Sequence, residues 1–297
     1  MRLRDHLHGL PGWGAVVRQS VVDLRTGHAA EWAGALAFYA LVAFFPLLLA
    51  GAVTASFFAD PSWAVARLTA LVGEFLPAGT LEVQAIVDGA VAGRERVGIV
   101  AVVSWVVAGR RLLSTLVAAI DRVSDVDEQA DPLRRRLLVE FCLLLGVGLL
   151  FVLALSTGPL VELLWTQAGG LPGSRRLVVE VTTLLLRALL LLAAFAALYA
   201  VVPQGDRGRR PVLAGAVAAT LLFLLAHAAF VLAMRWVWGN LSLVYGPLAV
   251  ATVLLTWAWY VGMIVLFGAS LASHAKVMRL EGQCAREASR RHEEQGQ

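Results

Sequence analysis

Cysteine is almost missing from this chain. Its 297 residues include only Cys142 and Cys284, which excludes a disulfide framework, a CxxC redox pair and a thiolate-rich metal site. Lysine is scarcer still. Lys276 stands alone, so 24 of the 25 basic residues are arginine, a bias that reads as the codon usage of a GC-rich bacterium rather than as chemistry. Charge of either sign is sparse at 15%, where a soluble domain carries about a quarter. The basic residues sit in short segments between apolar runs, not on a polar domain, and this argues against a nucleic-acid partner. No GxSxG, HExxH, Walker or Rossmann pattern occurs. The chain is therefore not read as an enzyme, and no catalytic residue, cofactor or metal is expected. No internal repeat is visible, so an inverted-repeat transporter architecture is not supported.

What the chain has in abundance is apolar length. Hydrophobic residues make up 59% and the mean hydropathy is +0.75. One water-soluble core of this size would not hide so much apolar surface, and lipid is its natural solvent. A bilayer core of about 30 Å needs about 20 helical residues. Six runs reach that length: 32–58, 97–120, 137–165, 177–202, 211–236 and 247–274. The expected fold is all-α: a polytopic membrane protein with six transmembrane helices. It divides into a cytoplasmic N-terminal segment (1–30), a six-helix domain (31–275) and a polar cytoplasmic tail (276–297) expected to fray from Gly282. The first 28 residues are polar and do not resemble a cleavable signal peptide. Pro132 and Pro211 suit the first turns of the third and fifth helices, and Pro46 predicts a kink in the first. Between Asp60 and Arg96, the spacings of Val65, Leu68 and Val72, then Val83, Ile86 and Val87, predict two short amphipathic helices. They either lie on the outer membrane surface or lid a cavity.

With six spans, both termini share one side of the membrane. Sixteen Arg and Lys flank the spans there, among them Arg18, Arg25, Arg134, Arg135, Arg209 and Arg210. Five flank the opposite side: Arg67, Arg94, Arg96, Arg175 and Arg176. The asymmetry predicts a bacterial plasma-membrane protein with both termini cytoplasmic. Trp165, Trp236, Trp238 and Tyr245 then mark the outer interface, and Trp32 and Tyr199 the inner one.

Ionisable residues at membrane depth are costly, and each is a candidate for function. Arg187 lies ten residues into the fourth run, about 15 Å down and close to the midplane. Glu180 sits nearer the outer end and Glu140 nearer the inner end, so neither matches its depth. Arg187 thus meets backbone carbonyls, a water-filled path or an anionic ligand, with Thr183 one turn away on the same face. The alternative is a structural arginine packed against helix ends. The run from Val97 to Gly109 is too short to span, which draws Arg110 and Arg111 into the inner half of the membrane. One would pair with Glu140 and the other snorkel to the headgroups, or both would hold a lipid phosphate. His227 lies in the outer half of the fifth run. It has no second ligand at metal spacing, so it reads as a packing residue or a proton relay. Glu31, Glu162, Arg235 and His274 fall near helix ends and read as interfacial and solvated. Asp121, Asp125, Asp127, Glu128 and Asp131 form an acidic patch, but arginines follow at once and the segment reads as a solvated turn.

Glu31–Leu49 (EWAGALAFYALVAFFPLLL) resembles the opening helix of the YihY/BrkB family, with its "ALAYYALLSLFPLL" pattern. Val244–Ala249 (VYGPLA), Trp257–Tyr260 (WAWY) and Leu266–Ala269 (LFGA) are similar to that family's last helix, "VYGSLA…LLWLY…LLGAE". The resemblance runs over about residues 10 to 280. It implies an inner-membrane protein of six helices whose members have carried the labels "virulence factor" and "ribonuclease BN". The chain departs from the pattern twice. Ser270 stands where the family has an acidic residue, and Ile120–Ser124 (IDRVS) replaces an Asn followed by aromatics. Three functional readings stay open. A transporter or lipid-translocating protein for an anionic small molecule or lipid predicts a polar path to Arg187. A scaffold for envelope assembly predicts dry, paired arginines. An enzyme, the ribonuclease label included, predicts activity that dies with a named residue, and the missing motifs weigh against it. Ala214, Gly215, Ala218 and Ala219 permit close helix contact, within the chain or between chains.

Overall fold

The computed structural model describes residues 13–26, 28–58, 89, 94–123, 146, 148–150, 153–154, 157, 161, 175–202, 208–245 and 248–295. Helix dominates them, and none is in a strand. The long helices are α1 (Trp13–Thr26), α2 (Ala29–Phe58), α3 (Arg94–Val123), α4 (Arg175–Val201), α5 (Arg209–Tyr245) and α6 (Leu248–Gln295). Five contain stretches long and apolar enough to cross a bilayer: Ala29–Ala50, Ile99–Val123, Leu177–Val201, Arg209–Leu241 and Leu248–Arg279. At most 33% of each apolar window is buried inside the chain. Leu185, Leu189 and Leu225 are among the side chains that point outward, each more than 60% exposed. That surface suits lipid, where a helix satisfies its own backbone and leaves its side chains to the solvent. The chain is an all-α polytopic membrane protein. The third expected span, 137–165, lies mostly outside the described residues, and its described positions are helical. The expected amphipathic pair between Asp60 and Arg96, and Trp165, lie outside them too, apart from Gly89 and the first residues of α3.

Two ends of the chain differ from expectation. The N-terminal segment contains α1, which buries Val16 and Ser20, one turn apart, and leaves Val17 and Val21 exposed. The tail does not fray at Gly282: α6 continues to Gln295. Its polar part is rich in Ala, Arg, Glu and Gln, residues that hold a helix without burial. At 48 residues, α6 is about 72 Å long, more than twice the hydrocarbon thickness.

α6 is the centre of the bundle. It packs against α5 and α2 and takes α1 around His274. α3 packs chiefly on α2, and α4 on α5. Missing side chains on α6 and α5 make the close approaches possible. A Cβ on Gly262 would stand 3.2 Å from Ala33 Cα of α2. A Cβ on Gly215 would strike the Gly268 carbonyl oxygen and stand 2.9 Å from Ala272 Cβ. Lipid offers no hydrophobic drive between helices, so such backbone contact supplies dispersion energy that larger residues would forfeit. Two hydrogen bonds tie the same elements. The Tyr199 hydroxyl donates to Val265 O at 3.0 Å, and Trp259 Nε1 donates to Ala30 O at 3.2 Å.

The join between α1 and α2 explains where α2 begins. His28 takes left-handed backbone (φ 58°), and its carbonyl accepts from Glu31 N and Trp32 N, both at 3.1 Å. Its Nδ1 meets Glu31 Oε1 at 2.9 Å. The acidic group in the first turn also suits the positive end of the helix dipole.

Candidate functional site

Arg187 sits in the middle of the α4 span, half-buried, ten residues from Leu177. Its Nε donates to Thr157 Oγ1 at 3.4 Å. Thr157 is fully buried and turns its own hydroxyl proton to Ala154 O at 2.8 Å. The hydroxyl oxygen is thereby left free to accept from a cation. Thr183, one turn before Arg187, buries a hydroxyl oxygen that makes no hydrogen bond among the described residues. His227 of α5 feels the charge of Arg187. Arg187 and Thr183, singled out from sequence, thus share a stretch of α4, and His227 of the packed neighbour α5 lies within reach of the arginine's charge. Thr157 joins them from the third expected span. It was missed because a single threonine in a run rich in Leu and Val carries no charge to mark it; the Ser156-Thr157-Gly158-Pro159 stretch is the signal that could have drawn attention.

The wall behind His227 is aromatic. Its ring stacks on Phe223 (centroids 6.3 Å, planes 14° apart) and meets Trp257 edge-on at 5.8 Å. Phe230 packs on the same tryptophan at 4.7 Å. The His227 ring therefore belongs to the packed aromatic core between α5 and α6. Trp257 also borders an apolar pocket of about 190 Å³ between α2 and α6, lined by Ala40, Leu41, Phe44, Leu254 and Ala258. Its size and lining fit hydrocarbon, not a charged solute.

Arg110 and Arg111 are placed elsewhere. Both are exposed and continue the outward stripe of Ile99, Val103 and Val107 on α3. Among the described residues α3 packs chiefly on α2 and α4 on α5, and no hydrogen bond or ion pair joins either arginine to Arg187. Long arginine stems on an outward face can carry their heads to the headgroup layer. The Arg111 carbonyl accepts from Ser114 Oγ at 3.0 Å and Thr115 Oγ1 at 2.9 Å. Glu140, the expected partner, lies outside the described residues, as do Asp125, Asp127, Glu128 and Asp131 of the acidic patch. Among the described residues no three His, Cys, Asp or Glu side chains gather as a metal site would require.

A second polar cluster was not foreseen. His274, expected to be solvated, is 1% exposed and puts Nε2 3.1 Å from Asp23 Oδ2 of α1. Asp23 also accepts from Gln19 Nε2 at 3.3 Å. Ser20 and Ser270 are fully buried nearby in the α1–α6 contact. Ser270 occupies the position where the resemblance leads one to expect an acid. Asp23 of α1 brings a carboxylate to His274, one turn further along α6. Of the other residues read as interfacial, Glu31 and Arg235 are exposed and Glu162 lies outside the described residues.

Comparison with known proteins covers nearly the whole chain. The family model for the virulence factor BrkB matches residues 21–293. A UPF0761 membrane protein of Pseudoalteromonas atlantica is 25% identical over 263 residues, 88% of this chain and 86% of its own. A UPF0761 membrane protein of Rhodospirillum centenum is 29% identical over 281 residues, 92% of this chain. This chain spans 61% of that longer relative. A third, from Alteromonas mediterranea, is 40% identical over 78 residues, 26% of each chain. No solved structure matches.

Proposed function

The chain belongs to the virulence factor BrkB family of membrane proteins, and on that premise we propose that it is a transporter or lipid-translocating protein for an anionic substrate. The observation that carries the reading is Arg187: a permanent cation at midspan, beside the Thr157 and Thr183 hydroxyls and His227. A guanidinium at that depth costs about 2.5–3.5 kcal/mol even by the lower, insertion-based measure. A carboxylate or phosphate in transit would offset that cost, because the planar fork of arginine binds both in two-point fashion. Threonine hydroxyls would accept or donate as the anion passes. We place the protein in the bacterial plasma membrane with both termini in the cytoplasm, on the arginine asymmetry of sixteen against five. On this reading the chain is not an enzyme.

The test is thiol accessibility along α4. Cys142 and Cys284 are replaced, and single cysteines are placed at Thr183, Arg187 and Leu190. Each is labelled from either side with a membrane-impermeant reagent. Labelling at 183 and 187 but not at 190, which packs against the core, is the expected result. No labelling at any position in folded protein overturns the transport reading. It favours a scaffold in which Arg187 is a dry packing residue, a role consistent with the aromatic stack around His227. Equal labelling at all three positions would mean that α4 is open to water on every side, and it overturns the proposal as well.

A further inference from the structure

We propose that the junction of α5 and α6 at one membrane boundary binds an anionic phospholipid, its phosphate held among Arg209, Arg210 and Arg279 and an acyl chain laid along the outer face of α5. The register of the two helices carries this. A Cβ on Gly268 would stand 3.0 Å from Ala219 Cβ, and a Cβ on Gly215 would stand 2.9 Å from Ala272 Cβ. One helix advances four residues as the other recedes four, so the two run antiparallel. A further step of four sets Pro211 beside Lys276, and the next three residues bring Gly208 to Arg279. The contact is found there: a Cβ on Gly208 would stand 3.0 Å from Arg279 Nη1. Arg209 and Arg210 fall between these two levels. Four cationic side chains therefore share a band about 4.5 Å deep, at about 1.5 Å per residue.

The band stands at the edge of the hydrocarbon. The apolar stretch of α5 begins at Arg209, and that of α6 ends at Arg279. Arg209, Arg210 and Arg279 are exposed, and Lys276 is half-exposed. Among the described residues no carboxylate pairs with any of the four. Like charges held this close repel, and an anion set between them relieves the repulsion. The planar guanidinium takes phosphate oxygens two at a time. Gly208 makes the arrangement possible. Its left-handed backbone (φ 70°) turns the chain into α5, and its missing side chain leaves the space beside the Arg279 guanidinium.

The surface beyond the cations favours a lipid over a soluble phosphate. Leu213, Val217 and Leu221 follow Arg209 at steps of four, and all three are exposed. Residues at that spacing form one ridge on a helix. The ridge runs from the arginine band into the hydrocarbon and reaches about 18 Å from Arg209 at Leu221. A phospholipid matches both the charge and the apolar ridge, whereas a free phosphate uses only the charge. Basic pockets between spans are where anionic headgroups collect. The inference does not rest on the transport reading.

The experiment uses the full chain in phosphatidylcholine nanodiscs. Cys142 and Cys284 are replaced, and a fluorophore is attached to a single cysteine at Val217, about 12 Å from Arg209 along α5. Phosphatidylglycerol or phosphatidylcholine brominated at mid-chain serves as the quencher. Half-maximal quenching should need at least about fivefold less of the phosphatidylglycerol, the effect of about one basic residue beside an anionic lipid. The preference should vanish in the triple variant Arg209→Gln, Arg210→Gln, Arg279→Gln. It should survive in Arg110→Gln with Arg111→Gln, which removes charge from the outward face of α3, and it should survive an excess of inorganic phosphate. Equal quenching by the two lipids overturns the proposal, and that comparison needs none of the arginine variants. A preference kept in the triple variant, lost equally in the α3 variant, or abolished by inorganic phosphate overturns it as well.

Discussion

Gly268→Ala tests whether backbone contact at the centre of the bundle holds α4, α5 and α6 together. A Cβ there would strike the Tyr199 hydroxyl, stand 2.8 Å from Tyr199 Cζ and 3.0 Å from Ala219 Cβ. Tyr199 has little room to yield. It is fully buried, bonded to Val265 O at 3.0 Å, and stacked on Phe195 with centroids 6.1 Å apart. Overpacking of this kind costs about 1–3 kcal/mol. Alanine returns about 0.5–1 kcal/mol as the better helix former. The net expectation is a loss of about 0.5–2 kcal/mol. Tyr199→Phe alone should cost about 0.5–1.5 kcal/mol for the hydrogen bond. Val265 O lies inside α6 and keeps its helical partner. In the double variant the nearest obstructing atom is gone and the ring is no longer anchored. Its loss should fall short of the sum of the singles by about 1 kcal/mol. The assay is reversible unfolding of the purified protein in mixed micelles. Stability of Gly268→Ala equal to or above wild type, or strict additivity in the double variant, would refute the reasoning.

Gly215→Ala should be at least as damaging, since its Cβ meets the Gly268 carbonyl, a backbone atom with no rotamer to change; the same unfolding measurement reads it. Trp259→Phe removes the indole bond to Ala30 O and should cost about 0.5–1.5 kcal/mol while α6 keeps its length by circular dichroism. Arg110→Ala should shift stability by no more than about 0.5 kcal/mol, because the side chain is on an outward face; a much larger loss would mean that it holds a buried partner.

Much of the site was legible in sequence as composition and depth. Arg187 is conspicuous because charge is so rare that one arginine in an apolar run stands out, and counting residues at 1.5 Å each locates it near midspan. Thr183 followed from helical spacing alone. The same counting misled at His274. It sits near the end of an apolar run, where an ionisable group ordinarily meets water, yet α1 folds back and covers it. Asp23 lies 251 residues earlier in a segment that reads only as polar, and no local pattern links the two.

The sequence by itself determined the solvent and the helical form of the long apolar runs. Six apolar runs of bilayer length demand lipid, and in lipid a chain without strand patterning must satisfy its backbone as helices. It also singled out Arg187 near the middle of its run, because position along a helix is a one-dimensional quantity. Which helix faces which was decided only by the tertiary structure. Lipid and leucine are alike in polarity, so an apolar run carries no signal for its inward face. That face is chosen by where backbones can approach, at Gly215, Gly262 and Gly268, and by where polar groups find partners across the bundle. Arg187 met Thr157 in this way, Arg110 and Arg111 were left on the outside, and Asp23 was brought to His274.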